Sequence, residues 1–486
     1  MIANMTDHIS FINRLLAARG VQVPEDRSAM IREFAERPDI RDTVVRIKEL
    51  QDNLSMRWKS TVRLRDVIQL HIPIPNGTVG KHYSARIDRL AIGLEDLSHF
   101  ELFGLEELGL VFDSDVGVIS GVPSTSGEHT LVLRFRLAEE SEKDTPHEKT
   151  IRFLINPDPR SLWKNIPSDV QDQFWKEDQV AETSPLGDKR IIVASKRGRS
   201  HANVGSFRDD DFAYGVNSTG WSIVAVSDGA GSYPLSRVGS RLACNAIIEY
   251  FSSDEALPEF KELTNQLDAH FSASAADDLA SIETSSKKCL YQGARYAFTR
   301  IGQEANATRE AHPEIFDSNK TKAAIEYFHS TLIFALFKRF GEQYVIMTFG
   351  VGDCPIAIMN KDCTSTELLN WLDVGEFGGG TRFITQAEIF RKEEVMPTRF
   401  NFRVVDDFSY LFLMTDGIYD PKFEVEANLQ KHECWLAFVE DLKGANEQGV
   451  SVDLEADTVE AAHQLSEWMD FWSTGNHDDR TLAIIL

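Results

Sequence analysis

The chain has 486 residues and 42% of them are hydrophobic, which is enough to fill several cores and excludes a disordered polymer. Asp and Glu number 76 against 51 Lys and Arg, and the net charge of −25 repels nucleic-acid backbones and anionic lipid surfaces. No apolar run approaches the ~18 residues of a membrane span, and Asp7 interrupts the stretch a signal peptide would need, so a soluble cytoplasmic protein with no nucleic-acid or membrane partner is expected.

At ~150 residues per domain the length predicts about three domains. From Phe11 to about Leu54 apolar residues recur at helical spacing (Phe11, Leu15, Leu16, then Ile40, Val44, Ile47, Leu50), and Pro24 and Pro38 divide them into short helices. A helical N-terminal module is expected over 1–58. Beyond it the period becomes that of strands, since Leu131, Leu133, Phe135 and Leu137 alternate with Val132, Arg134 and Arg136, and Ile151, Phe153 and Ile155 repeat the pattern. Short strands between Gly and Pro turns predict a β-sandwich over 59–157. The stretch Leu110 to Leu137, with its Gly-x-Ile-Ser-Gly-x-Pro turn, resembles the end of a bacterial immunoglobulin-like module. Such modules act as spacers or protein-docking units.

Residues 158–189 are rich in Pro, Asp, Ser and Glu without clean periodicity and read as a linker, with a short helix around Val170 to Trp175. A single large α/β domain is expected over 190–486. Its strands run over Ile191 to Ala194, Trp221 to Val226, Thr331 to Phe337, Tyr344 to Phe349, Pro355 to Met359, Tyr410 to Met414 and Thr481 to Leu486. The clearest helices lie around Val238, Leu242 and Ala246, and from Cys289 to Ile301. The five cysteines (Cys244, Cys289, Cys354, Cys363, Cys434) include no Cys-x-x-Cys pair, which argues against a disulfide framework or a structural zinc.

The aspartates of this last domain carry the chemistry. Two apolar strands end in Asp-Gly, at Asp228-Gly229 and Asp416-Gly417; a third runs into Gly352-Asp353, and Asp478-Asp479 precedes a fourth. Carboxylates at the mouths of buried strands are partly desolvated and cannot all stay ionised without a compensating cation. Hard oxygen donors without Cys or His pairing favour Mg²⁺ or Mn²⁺, and the Gly229 carbonyl is a further oxygen donor. Two such cations about 4 Å apart are a standard means of activating water against phosphorus, so phosphoester hydrolysis is the expected reaction.

The segments SHANVGSFRDDDF (200–212), VSDGAG (226–231), STL (330–332), GVGD (350–353), MTDG (414–417) and DDRTL (478–482) follow the order and spacing of the type 2C (PPM) metal-dependent serine/threonine phosphatases. They are most similar to the bacterial branch. The resemblance implies an α+β sandwich of two antiparallel sheets flanked by helices, two and in some members three Mn²⁺ or Mg²⁺ ions, and hydrolysis of phosphoserine and phosphothreonine by a water or hydroxide bridging the ions. It further implies that Asp228 bridges both metals with the Gly229 carbonyl on one, and that Asp416 and Asp478 are ligands. Asp210 would hold metal-bound waters, with Asp209 beside it, and Asp353 would serve a third metal. A phosphoprotein is the implied substrate, and a cognate Ser/Thr kinase is a candidate partner.

Four positions depart from the family pattern. Ala230 stands where many members have a His proposed as general acid. Gly205 replaces the phosphate-gripping Arg, a contact left to Arg208, Arg197, Arg199 or His201. Asp479 replaces Asn, and Cys354-Pro355 replaces Ser-Arg. None removes a ligand, so an active enzyme is expected; the alternative is a catalytically inactive, phosphatase-like binding or regulatory protein acting through its immunoglobulin-like module. Gly378-Gly379-Gly380 reads as a rim loop, since no Lys follows it. Cys354 reads as a buried small residue rather than a nucleophile.

Overall fold

The computed structural model describes residues 2–272, 279–316, 322–373, 380–391, 396–456 and 459–486. The chain forms two compact units, Met1–Leu162 and Trp163–Leu486. Among the described residues no helix is long and apolar enough to cross a membrane.

The first unit opens with helices Ile2–Ala18, Ser28–Glu36 and Pro38–Gln69. Pro38 sits in the first turn of the third, where its missing N–H costs nothing. Ile12, Ala35 and Val44 bury one another in a small core. This third helix has 32 residues rather than being one of several short ones, and it runs through the boundary expected at 58. Its far end enters the next layer, where Val67 is fully buried among strand residues. There a four-stranded sheet (Gly77–Thr78, His147–Asn156, Gly127–Leu137, Leu97–Phe103) and a three-stranded one (Tyr83–Arg86, Val118–Gly121, Leu110–Asp113) share a core. Leu131, Leu133 and Phe135 point into it, which is the alternation their sequence predicts.

The second unit is α+β. A five-stranded antiparallel sheet has the order Asp211–Val216, Ser222–Ser227, Leu332–Phe340, Gln343–Val351, Phe400–Val405. A six-stranded antiparallel sheet has the order Thr366–Leu368, Ile356–Asn360, Phe408–Met414, Arg480–Ile485, Lys189–Lys196, Gln179–Leu186. Their inner faces meet through Val193, Val224, Val226, Ile333, Leu413 and Ala483. Helices Ser236–Ser252, Leu257–Phe271 and Leu279–Ala311 cover the outer face of the first sheet. Helices His432–Leu442 and Val459–Trp468 cover the second, where Phe412 stacks on Trp435 at 5.5 Å. With both faces of each sheet buried, the central strands are mostly apolar, which is why they are legible in the sequence.

The residues expected to be a linker belong to this unit. Gln179–Leu186 is an edge strand paired along its whole length with Lys189–Lys196. Its half-exposed residues and Pro185 blur the alternation, and only an edge position tolerates that proline. Residues 170–174 form turns rather than a helix, since the Asp172 carboxylate takes the Phe174 amide and the Arg237 guanidinium.

Candidate active site

Strand register brings the aspartates together. Asp211 pairs with Ser227 and Leu332 with Val351, so the starts of two strands and the ends of two others lie at one end of the first sheet. Met414 pairs with Leu482, and Arg480 with Lys196, at the corresponding end of the second. Asp210, Asp228 and Asp353 project from the first group; Asp416 and Asp478 project from the second. Burial pushes Asp228 and Asp416 far above the usual carboxylate range, and mutual repulsion adds to it: Asp416, Asp210, Asp478 and Asp353 act on Asp228. Asp210 rises to about 7 through burial and the charge of Asp479, and Asp353 and Asp478 rise through burial.

Two glycines make this crowding possible. A Cβ on Gly417 would lie 1.9 Å from the Asp479 carbonyl oxygen, and one on Gly229 would lie 2.5 Å from that of Asp209. The backbones after Asp228 and Asp416 therefore pass against the neighbouring acid-bearing segments, which any side chain would prevent.

Asp210 is held at one oxygen only. Its Oδ2 accepts hydrogen bonds from Thr415 Oγ1 and Thr481 Oγ1, both at 2.8 Å, while the buried Oδ1 has no partner. Arg208 Nη1 donates to Ser195 Oγ at 2.5 Å and to the Asp210 carbonyl at 2.8 Å, and Ser195 Oγ meets Thr481 Oγ1 at 2.8 Å. At Asp353 the pattern repeats: Thr381 Oγ1 donates to Oδ2 at 2.6 Å, and buried Oδ1 lacks a partner. Two buried, partnerless carboxylate oxygens in an all-oxygen donor set fit hard divalent cations.

Three of the four basic residues considered for phosphate contact are committed elsewhere. Arg208 is buried and braces Asp210 from behind. Arg197 serves Ser206, Ile166 and Asp178. Arg199 donates to the Asp470 carbonyl and lies over the Trp472 ring. His201 alone faces the acids, with Nδ1 3.1 Å from both oxygens of Asp479 and Nε2 3.8 Å from Asp209 Oδ2. Burial opposes its protonation, but the hydrogen bond and charge of Asp479 outweigh it and carry the imidazole up to about 10. Burial likewise pushes Asp479 up, yet His201 and the amides of Gly198 and Asp209 bring it below the usual range.

Cys354 is buried against Thr331 Oγ1 at 3.3 Å, and its thiol is pushed up by burial and by Asp228, which leaves it inert as a nucleophile. Gly378 and Gly379 lie outside the described residues; Gly380 has a φ of +100° and precedes the Thr381 that binds Asp353. Sequence reading missed Lys176. Its buried ammonium donates to the Asp210 carbonyl at 2.7 Å, the Arg237 carbonyl at 3.2 Å and Asp211 Oδ2 at 3.0 Å. A lone lysine among acidic loop residues gives no periodic signal.

Two stacked antiparallel sheets between helices, with five aspartates converging at one end, define an α+β domain built around an acidic centre. Residues 197–470, more than half of the chain, match the family described as Protein phosphatase 2C, and the chain belongs to that family. Among solved structures, a bacterial serine phosphatase is 14% identical, covering 61% of this chain and 96% of its own, with a TM-score of 0.33. The serine/threonine phosphatase Stp1 of Staphylococcus aureus is 12% identical over 64% of this chain and 98% of its own, with a TM-score of 0.32. The catalytic domain of the serine/threonine phosphatase PstP, in complex with two manganese ions, is 16% identical over 61% and 97%, with a TM-score of 0.33. No curated protein matches the chain.

Proposed function

We propose that this protein is a metal-dependent protein serine/threonine phosphatase that hydrolyses phosphoserine and phosphothreonine using Mn²⁺ or Mg²⁺. Membership of the protein phosphatase 2C family supports the reaction class. The observation that carries the proposal is the set of strand-end carboxylates raised by burial and by one another's charge, with Asp210 Oδ1 and Asp353 Oδ1 buried and partnerless. Asp228, the Gly229 carbonyl, Asp416 and Asp478 would hold two cations, Asp210 would stand at their waters, and Asp353 would serve a third. Bound there, such ions offset the carboxylate charge, polarise phosphoryl oxygens and acidify water.

The chain's own groups do the positioning. Thr415 and Thr481 fix the Asp210 carboxylate through Oδ2 and leave Oδ1 without a partner. Arg208 and Lys176 hold its backbone from behind and stay out of the solvent. His201 supplies an imidazole N–H 3.8 Å from Asp209 Oδ2. An open pocket of about 690 Å³ is lined by Trp163, Ser200, Asp420, Glu424, His477 and Asp478 and would admit part of a peptide. The test is Mn²⁺-dependent phosphate release from p-nitrophenyl phosphate and from a phosphothreonine peptide. Turnover of both is expected, and failure on both with metal bound would favour a regulatory, non-catalytic role.

A further inference from the structure

His201 is held in an arrangement that phosphate contact alone does not require. It sits in the helix Arg199–Val204, and its Nδ1 is shared between both carboxylate oxygens of Asp479 at 3.1 Å. Asp479 is itself fixed by the amides of Gly198 and Asp209, both at 2.5 Å, so the imidazole is anchored to a rigid carboxylate. That pairing puts the second N–H at Nε2. Nε2 is 3.8 Å from Asp209 Oδ2, beyond hydrogen-bond reach, and 3.2 Å from where a Cβ on Gly231 would lie. The N–H at Nε2 therefore stands against the loop that begins with Asp228-Gly229, where a side chain at 231 would press on it.

Four other described cations near the acids have partners of their own. Lys176 and Arg208 hold backbone carbonyls, Arg237 is paired with Asp172 and Arg399 with Asp373. Hydrolysis of a serine or threonine phosphate expels an alkoxide, a poor leaving group until it is protonated, and position 230 offers only the methyl group of Ala230. We propose that His201, oriented by Asp479, is the catalytic residue that delivers a proton from Nε2 to the departing serine or threonine oxygen. The water oxygen bonds to phosphorus and the ester P–O bond breaks with its electron pair on the alcohol oxygen. That oxygen takes the Nε2 proton, and the proton shed by the water restores the imidazolium through solvent. Burial opposes protonation of His201, and the hydrogen bond and charge of Asp479 favour it.

This inference rests on the phosphatase reading and is tested by leaving-group dependence. The full chain and His201→Gln are assayed with Mn²⁺ on aryl phosphates of graded phenol acidity and on a phosphothreonine peptide. The variant is expected to lose about 10- to 100-fold more kcat/KM on the peptide than on p-nitrophenyl phosphate, whose leaving group needs no proton, with a steeper dependence on phenol acidity. Equal losses across the series overturn the assignment and leave His201 as a structural or charge-balancing group. A wild type without turnover on any ester overturns the phosphatase reading itself, which the variant does not enter. Should His201→Gln melt at the assay temperature, Asp479→Asn keeps the imidazole but weakens its anchor. The same bias against the peptide, smaller in size, is then expected, and its absence counts equally against the proposal.

Discussion

Lys176 and Asp210 lie 34 residues apart in the chain and meet where the ammonium of one donates to the carbonyl of the other at 2.7 Å. Burial lowers the affinity of Lys176 for its proton, but the charge of Asp211 opposes this, and Asp211 is drawn below the usual carboxylate range by Lys176 and Arg208 against its own burial. This pair fixes the backbone from which Asp209 and Asp210 reach the centre. Lys176→Met would leave the buried Asp211 carboxylate without its paired ammonium and take one donor each from the Asp210 and Arg237 carbonyls, a loss of roughly 3–5 kcal/mol for a broken buried pair. Thermal melts followed by circular dichroism should show the second unit destabilised, and Lys176→Met with Asp211→Asn should recover part of the loss.

The same contacts set where a catalytic fragment must begin. A fragment starting at Trp163 keeps Lys176, the Glu177 carbonyl that Arg208 binds at 3.0 Å and the edge strand Gln179–Leu186. It should fold and turn over p-nitrophenyl phosphate at the full-length rate. One starting at Arg190 loses all of these and should be insoluble or inactive. If residues 1–162 dock phosphoproteins, the longer fragment should lose kcat/KM on a native phosphoprotein only; an equal loss on the aryl ester would place them in shaping the active site.

Removing an acid should separate activity from stability. Asp228→Asn and Asp416→Asn should each lose at least about 100-fold in kcat while raising the melting temperature of the metal-free protein, because repulsion within the cluster falls. Stabilisation by added Mn²⁺ should shrink in both. Retention of more than about a tenth of the rate at saturating Mn²⁺ would remove these residues from the metal site.

Asp209 and Asp210, raised from the ordinary 3.8 to about 7, make the metal-free protein sensitive to pH. Between those values the folded state binds more protons than the unfolded chain, so unfolding free energy falls as pH rises. Metal-free protein should melt at a lower temperature at pH 7.5 than at pH 5.5. Saturating Mn²⁺ should cancel or reverse that slope, since cations take the place of the protons. A flat profile without metal would mean the carboxylates are not packed as described.

Gly417→Ala tests the close approach of the strand ends. Its Cβ would meet the Asp479 carbonyl at 1.9 Å, backbone that cannot swing away, so a loss on the order of 3 kcal/mol is expected, the upper end for overpacking. Gly380→Ala, with nothing within 4 Å of its Cβ, should cost far less despite its positive φ.

The seven central strands and their terminal aspartates were legible because a strand buried on both faces is mostly apolar, as Trp221 to Val226 and Tyr410 to Met414 are, and a charged residue at its end then stands out. The motif order sufficed to place the chain among the type 2C phosphatases. The edge strand Gln179–Leu186 gave no such signal, since it is half-exposed and its polar residues and Pro185 read as a loop. Nor could local pattern show that the third helix continues past residue 58 to Gln69, since its mid-section is held by no core. Only the tertiary structure decided which basic side chains face the acids. A guanidinium near a carboxylate in sequence is equally able to brace it or to bind substrate, and the choice is made by what lies across the fold: Ser195 and Glu177 for Arg208, Asp178 for Arg197, and Asp479 for His201.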